Sequence, residues 1–514
     1  MKKIFKPASF GAAGAVVFTT PALAQSLDQK INDGFASATG WFVNFIFSPF
    51  PGTAFPWIVA WLVIAATVFT LYFGFVQFRA FRHSIALVRG DYSDPNDAGE
   101  VSHFQALATA LSGTVGLGNI AGVAVAIGIG GPGATFWMIL AGLMGMASKF
   151  TECTLGVKYR NEYPDGKVSG GPMYYMTKGF AERGLPLGKA LAVLFSIFCI
   201  LGALGGGNMF QANQAHAQIS NVVGDYPGWI TGIVFAAIVF AVIVGGLQSI
   251  AKVTEKVVPF MGVMYVAAAL VILLMNADMI GWAFGQIFAG AFTGLGVAGG
   301  MVGALIQGFK RAAFSNEAGV GSAAIAHSAV RTKEPITEGF VSLLEPFIDT
   351  VVICTMTALV IIITGQLVSD PETGLYLLNE SGSAIQTVDG NSGVALTSAA
   401  FSSSFGWFQY ILAIAVILFA FSTMISWSYY GLKAWTFLFG EGQTKEVVFK
   451  VIFCVFVVIG ASANLGPVID FSDAAIFAMA VVNIVALYFL MPIVKGELDS
   501  YLSRLKSGEI KKYE

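Results

Sequence analysis

Apolar runs of membrane-crossing length, one after another and each closed by a short cluster of glycine, proline or charge, decide the environment of this chain before any motif is read. They fall at roughly 56–78, 104–127, 134–157, 189–219, 227–247, 257–275, 280–305, 338–365, 405–431, 447–463 and 473–494. A helix needs about 20 predominantly apolar residues to cross a bilayer, because in lipid its backbone polar groups must be satisfied within the segment. About eleven transmembrane helices follow, in an all-α polytopic membrane protein. Only 11% of the residues are charged, against about 25% in soluble domains, and 44 phenylalanines could not be hidden from water in a soluble fold. The net charge of −2 sits at the ends of the apolar runs and gives no nucleic-acid signal. Cys153, Cys199, Cys354 and Cys454 are isolated within the spans and form neither a disulfide framework nor a metal-binding spacing.

The start of the chain has the layout of a secretory signal. Lys2, Lys3 and Lys6 precede a short apolar stretch, and Ala22-Leu23-Ala24 offers an A-x-A cleavage site before Gln25. Residues 1–24 are therefore expected to be removed, and 25–55 to stay outside, with a helix over 26–50 lying on the outer leaflet. Lysine and arginine favour the cytoplasmic side. Arg79, Arg82, Arg89, Lys158, Arg160, Lys252, Lys256, Lys310, Arg311, Arg331, Lys333 and Lys445 all fall on one side of the predicted spans, with the basic tail 495–514. The opposite loops, GGPG, NVVGDYPG, NADMIG, 366–404 and SANLGPVIDFSD, contain no lysine or arginine. The N-terminus is expected outside and the C-terminus inside.

Setting aside an extra first helix at 56–78, the remaining spans divide into five over 104–275 and five over 280–494. Since five is odd, the second set starts on the opposite face, the plan of an inverted repeat. In such chains the sharpest pointer to a binding site is an interrupted helix at matching positions in the halves. The first helix of half one carries GTVGLGN, with Gly113, Gly116, Gly118 and then Asn119. The first helix of half two carries Gly290, Gly294, Gly296, Gly299 and Gly300. Glycines in membrane helices also serve close packing, and that reading suits Gly122, Gly142 and Gly145. Crowded two apart beside an asparagine, those at 113–118 point to unwinding. A broken helix frees carbonyls for a hard cation and N–H groups for an anion.

The segments GTVGLGNIAGVAVAI, GGPGATFWMILAGLMGMASKFTE and GFKRAAFSNEAGVGSAAIAHSA resemble the alanine or glycine:cation symporter family of bacteria and archaea, from about residue 56 to the end. Ile139 departs from the family pattern, which has tryptophan there. That family is similar in fold to the LeuT-type transporters, which share VGLGN. The resemblance implies a LeuT-type 5+5 inverted repeat in the cytoplasmic (inner) membrane of a bacterium. It implies import of a small neutral amino acid, alanine or glycine, coupled to sodium or alternatively to protons, with no cofactor and no obligate protein partner. It places the carbonyls of Ser112, Val115 and Phe419 and the hydroxyls of Ser422 and Thr423 around sodium. It sets the amino acid against Thr114, Gly116, Leu117 and Gly118, near Thr423, with Trp427 walling the pocket. Asn119 would brace the break or bind a second ion.

Other polar residues at depth keep two readings. Asn208 and Gln211 lie within one turn and suit either substrate contact or interhelical bonding. His216 reads as an interface residue. Asp349 falls about eleven residues into its span, roughly 16 Å deep at 1.5 Å per residue, and shares a face with Glu345. Pairing with Lys310, Arg311 or Arg331 as an inner gate competes with proton coupling through Asp349. Lys149 and Glu152 read as snorkelling at an inner helix end, and GFKRAAFSNEAGVGS as a cytoplasmic loop with a short helix. An enzyme is disfavoured, since His83, His103, His216 and His327 are scattered without catalytic or metal-ligand order. An ion channel usually needs symmetric subunits or a charged ring. A nutrient sensor that binds without transporting shares every feature above.

Overall fold

The computed structural model describes residues 21–94, 97–164, 166–293, 300–372, 375–510 and 512. Each predicted apolar run is helical over most of its described residues. Among the described residues, five helical stretches are long and apolar enough to cross a bilayer, and six when a pair bent by 50°, His103–Thr114 with Gly118–Gly130, counts as one span. The rest of the predicted spans are shorter, broken or less apolar helices. The basic terminal segment 1–20 lies outside the described residues. From Pro21 the chain is helical to Ile46, so the predicted cleavage point falls inside a helix. That helix packs on protein: Phe35 meets Phe471 edge-on at 5.1 Å and Phe42 stacks on Phe198 at 6.1 Å, while Trp41 and Phe45 face outward.

The halves are recognisable from which helices touch. Gly246–Met275, fifth in the first half, packs along Phe408–Phe439, third in the second. Its counterpart Leu465–Ser507 packs along Gly188–Leu204 in the same way. Gly228–Ile243 and Gln443–Ser462, fourth in each half, pack on one another. Such reciprocal contacts are what a pseudo-twofold relation between the halves produces.

The expected basic end is tied together by ion pairs. Arg504 grips Glu334 through two bonds of 2.7 and 2.6 Å, and Lys158 reaches Glu497 at 2.6 Å. Arg160 donates to the carbonyls of Ser328 and Val330. Lys310 and Arg311 do not join that end. Arg311 bonds to Asp473, and Lys310 lies 3.5 Å from the same carboxylate and 4.1 Å over the Phe47 ring. Both neighbours belong to segments predicted for the opposite face. The helix carrying these cations, Gly300–Asn316, runs further than expected before it breaks.

The first broken helix starts with a reciprocal cap that periodicity did not reveal. Ser102 Oγ accepts from the Gln105 backbone N–H at 3.2 Å, and Gln105 Oε1 accepts from the Ser102 N–H at 3.1 Å. Ser102→Ala should lower stability by about 1 kcal/mol, read as a small drop in thermal unfolding temperature in detergent with transport retained.

Candidate functional site between two broken helices

In a continuous helix the N–H groups of Gly116 and Leu117 would close onto the carbonyls of Ser112 and Gly113. Here they do not. The Gly116 N–H donates to Asn119 Oδ1 at 2.9 Å, and the Leu117 N–H to Gln211 Oε1 at 3.1 Å. Val115, with ψ near 86°, has left the helix, and a π turn over Gly118–Gly122 restarts it. Side chains thus take over the donors, and two mid-span carbonyls are released. The predicted unwinding at 113–119 is present.

The counterpart expected in the second half falls largely outside the described residues. Residues 294–299 are outside the described segment, while Gly290 and Gly300 sit in flanking helices. Among the described residues a break falls at 317–321, between Gly300–Asn316 and the short helix Ser322–His327. Glu317, Gly319 and Gly321 all adopt left-handed φ, at 54°, 82° and 91°, and the segment is largely buried. The expected cytoplasmic loop is therefore a second rupture inside the protein. Its Asn316-Glu317 beside Gly-x-Gly repeats the grammar of GLGN, and that was the available signal.

The two ruptures touch. A Cβ on Gly118 would lie 3.3 Å from the Ser315 Cα. Asn119 Nδ2 donates to the Asp349 carbonyl and to Asp349 Oδ1, at 3.0 and 2.7 Å, and Ser315 Oγ donates to Asp349 Oδ2 at 2.8 Å. Asp349 thus clasps both breaks. It makes no pair with Lys310, Arg311 or Arg331, so the gate reading is replaced by a bracing one. Asn119 is a brace as well.

Phe408–Phe439 supplies the facing wall. Ser112 Oγ donates to the Ser422 carbonyl at 2.7 Å, Ser422 Oγ to the Phe419 carbonyl at 3.0 Å, and Ser426 Oγ to the Thr109 carbonyl at 3.2 Å. Ser112, Phe419 and Ser422 are therefore brought together. Thr423 Oγ1 and Tyr430 Oη are buried without a protein hydrogen-bond partner, and they face Gly116 and Gly113. Thr114 folds its hydroxyl back on the Ala110 carbonyl at 3.2 Å. Trp427 is buried, packs closely on Gly207, and donates from Nε1 to Glu317 Oε1 at 2.9 Å.

The remaining polar expectations divide. Gln211 caps the break and donates to the Gly206 carbonyl at 2.9 Å. Asn208 makes an interhelical bond to the Phe453 carbonyl at 2.6 Å, and His216 meets Thr231 at 3.0 Å. Gly142 and Gly145 pack closely on Thr350 and Ala318, whereas Gly122 has only ordinary contacts and belongs to the π turn. Lys149 and Glu152 do not snorkel. Both are fully buried, with Lys149 3.2 Å from Glu345. Histidines scattered in sequence also converge, for His327 bonds to Glu338 and Glu345, and His103 to Glu338. Ligand atoms of Cys153, His327 and Glu345 come within 4.8 Å. Both imidazole nitrogens already face carboxylates and the Lys149 ammonium lies on Glu345, which opposes a cation there.

Reciprocally packed helices around mid-helix ruptures are the architecture of LeuT-type secondary transporters. The structure of MhsT in complex with L-phenylalanine aligns with 79% of this chain and 99% of its own, at a TM-score of 0.51 and 15% identity, a likeness of fold alone. The sodium:alanine symporter family is matched over residues 41–514, and the chain belongs to that family. It is 39% identical to the sodium/alanine symporter AgcS of Methanococcus maripaludis, over 89% of this chain and 96% of that one. It is 32% identical to the probable sodium/glutamine symporter GlnT of Bacillus subtilis, over 88% and 89%. The protein is a multi-pass membrane transporter of the cation-coupled amino-acid symport class, not an enzyme.

Proposed function

We propose that this protein imports alanine or glycine with sodium across the bacterial cytoplasmic membrane. It would do so through eleven spans, with its mature N-terminus outside and C-terminus inside. The observation that carries the reading is the released backbone at 112–117, opposite the unpartnered Thr423 hydroxyl. Sodium, a hard cation, is taken by oxygen donors, here the carbonyls of Ser112, Val115 and Phe419 with the hydroxyls of Ser422 and Thr423. The amino acid rests against the backbone at Thr114, Gly116, Leu117 and Gly118, beside Asn119 and Gln211, which hold the Gly116 and Leu117 N–H groups. Trp427, held by its bond to Glu317, walls the side-chain end of the site. The relatives named for alanine and glutamine mark side-chain size as the property to be measured.

Alternating access follows when helices around the site rock against the remainder. Sodium plus a zwitterion carries one positive charge, so 100 mV, inside negative, adds about 2.3 kcal/mol per sodium. Sodium orders the broken helix, the amino acid then binds better, and linkage makes the effect reciprocal.

Radiolabelled alanine and glycine uptake into proteoliposomes, with and without a sodium gradient, tests this. Uptake driven by sodium is expected, and equal uptake without it removes sodium coupling in favour of protons. Thr423→Ala should raise the sodium concentration for half-maximal uptake at least about tenfold, equivalent to about 1.4 kcal/mol, at unchanged protein yield. An unaltered sodium dependence refutes the assignment of Thr423.

A further inference from the structure

Four buried carboxylates, Glu152, Glu317, Glu338 and Glu345, share one region with Lys149, His103 and His327, all under 4% exposed. Apart from the Glu317–Trp427 bond, none of these contacts is used by the sodium or amino-acid site. At their centre His327 stands between two acids. Nδ1 meets Glu338 Oε1 at 2.5 Å, and Nε2 meets Glu345 Oε1. A neutral imidazole has one N–H and an ionised carboxylate has none. Two hydrogen bonds across three such groups therefore require one proton more than a neutral histidine with two carboxylates provides. The geometry itself fixes that count.

We propose that His327, gripped by Glu338 and Glu345, is a proton-binding site that exchanges with the cytoplasm when the inner end of the transporter opens. The placement supplies the coupling. His103 is the first residue of the first broken helix, and its Nδ1 meets the other oxygen of Glu338 at 2.5 Å. His327 is the last residue of the short helix after the second break. One carboxylate thus ties together the same ends of both broken helices. Parting those ends splits the cluster and leaves buried charge uncompensated, unless water enters and the extra proton departs. Cytoplasmic acid holds the end closed, and alkali favours opening.

The groups facing the cluster come from every packed element. Lys149, Glu152 and Cys153 lie on Gly133–Lys158, Glu317 in the second break, Tyr175 on Pro172–Glu182 and Tyr430 on Phe408–Phe439. His83 and Tyr501 bond to each other at 2.9 Å, Glu255 accepts from Gln105 and Asp349 from Asn119. The Lys149 ammonium is the permanent counter-charge on Glu345, which leaves the proton on His327 as the exchangeable one.

The inference rests on the symport reading, so its test has a transport arm and an independent one. In right-side-out vesicles with the sodium gradient and voltage clamped, alanine uptake is measured while lumenal pH varies from about 6 to about 8, the range in which histidine switches. The unaltered protein should be roughly tenfold slower at the acid end. His327→Gln should retain sodium-dependent alanine binding in detergent and lose that pH dependence. A flat profile in the unaltered protein, or the same profile in His327→Gln, overturns the proposal. Infrared pH-difference spectra of the purified full chain form the second arm. An imidazolium band titrating with a carboxylate, absent from His327→Gln, sustains the proton site even if no alanine is transported, which would remove only the symport reading. Absence of that band from the unaltered chain overturns it.

Discussion

Gly116→Ala should cut sodium-driven alanine uptake at least about 100-fold, equivalent to about 2.7 kcal/mol. A Cβ at this position would lie 2.4 Å from Thr423 Oγ1 and 3.3 Å from Gln211 Oε1. The first separation is impossible without movement. The threonine side chain can yield only by carrying its hydroxyl away from the released backbone, and the glutamine only by releasing the Leu117 N–H. A single methyl group therefore disturbs the cation side and the amino-acid side of the site together. The clash is local and at the end of side chains, so the protein should still elute as a folded species. Uptake within threefold of the unaltered protein would show that the break is not where the ligands lie.

Asn119→Ala should be the most destabilising change in the site, by roughly 2–5 kcal/mol. It strands the Gly116 N–H, takes two hydrogen bonds from Asp349, and does so where both groups are fully buried. Ser315 and Thr350 still bond to Asp349, so part of the clasp remains. The expected result is a marked drop in unfolding temperature together with loss of uptake. Asn119→Asp should not rescue either, since it sets a second carboxyl against Asp349. An unchanged melting curve in Asn119→Ala would mean that the amide is not what holds the rupture.

GTVGLGN announced its own unwinding because its glycines crowd together beside a polar amide in an otherwise apolar run, a pattern no packing requirement explains. The second rupture was written in the same residues, Asn316-Glu317 with Gly319 and Gly321, yet the nearby Lys310 and Arg311 argued for a cytoplasmic loop. Charge counting assumes that cations seek water at the inner surface. Arg311 instead found Asp473, some 160 positions away in sequence. The same limit hid the roles of Lys149 and His327, whose partners lie on other helices. Gln211 was legible as a polar residue at depth, but whether it holds a ligand or a backbone N–H depends on which helix stands opposite.

By itself the sequence determined the solvent, the helical class and the rupture at GTVGLGN. These follow from hydrophobic run length and local backbone propensity, both properties of contiguous residues. Tertiary structure alone decided that the chain also ruptures at 317–321, that Asp349 braces both breaks, and which hydroxyls stay unpartnered. A buried polar group takes its role from whatever faces it, and in this fold those partners come from distant helices.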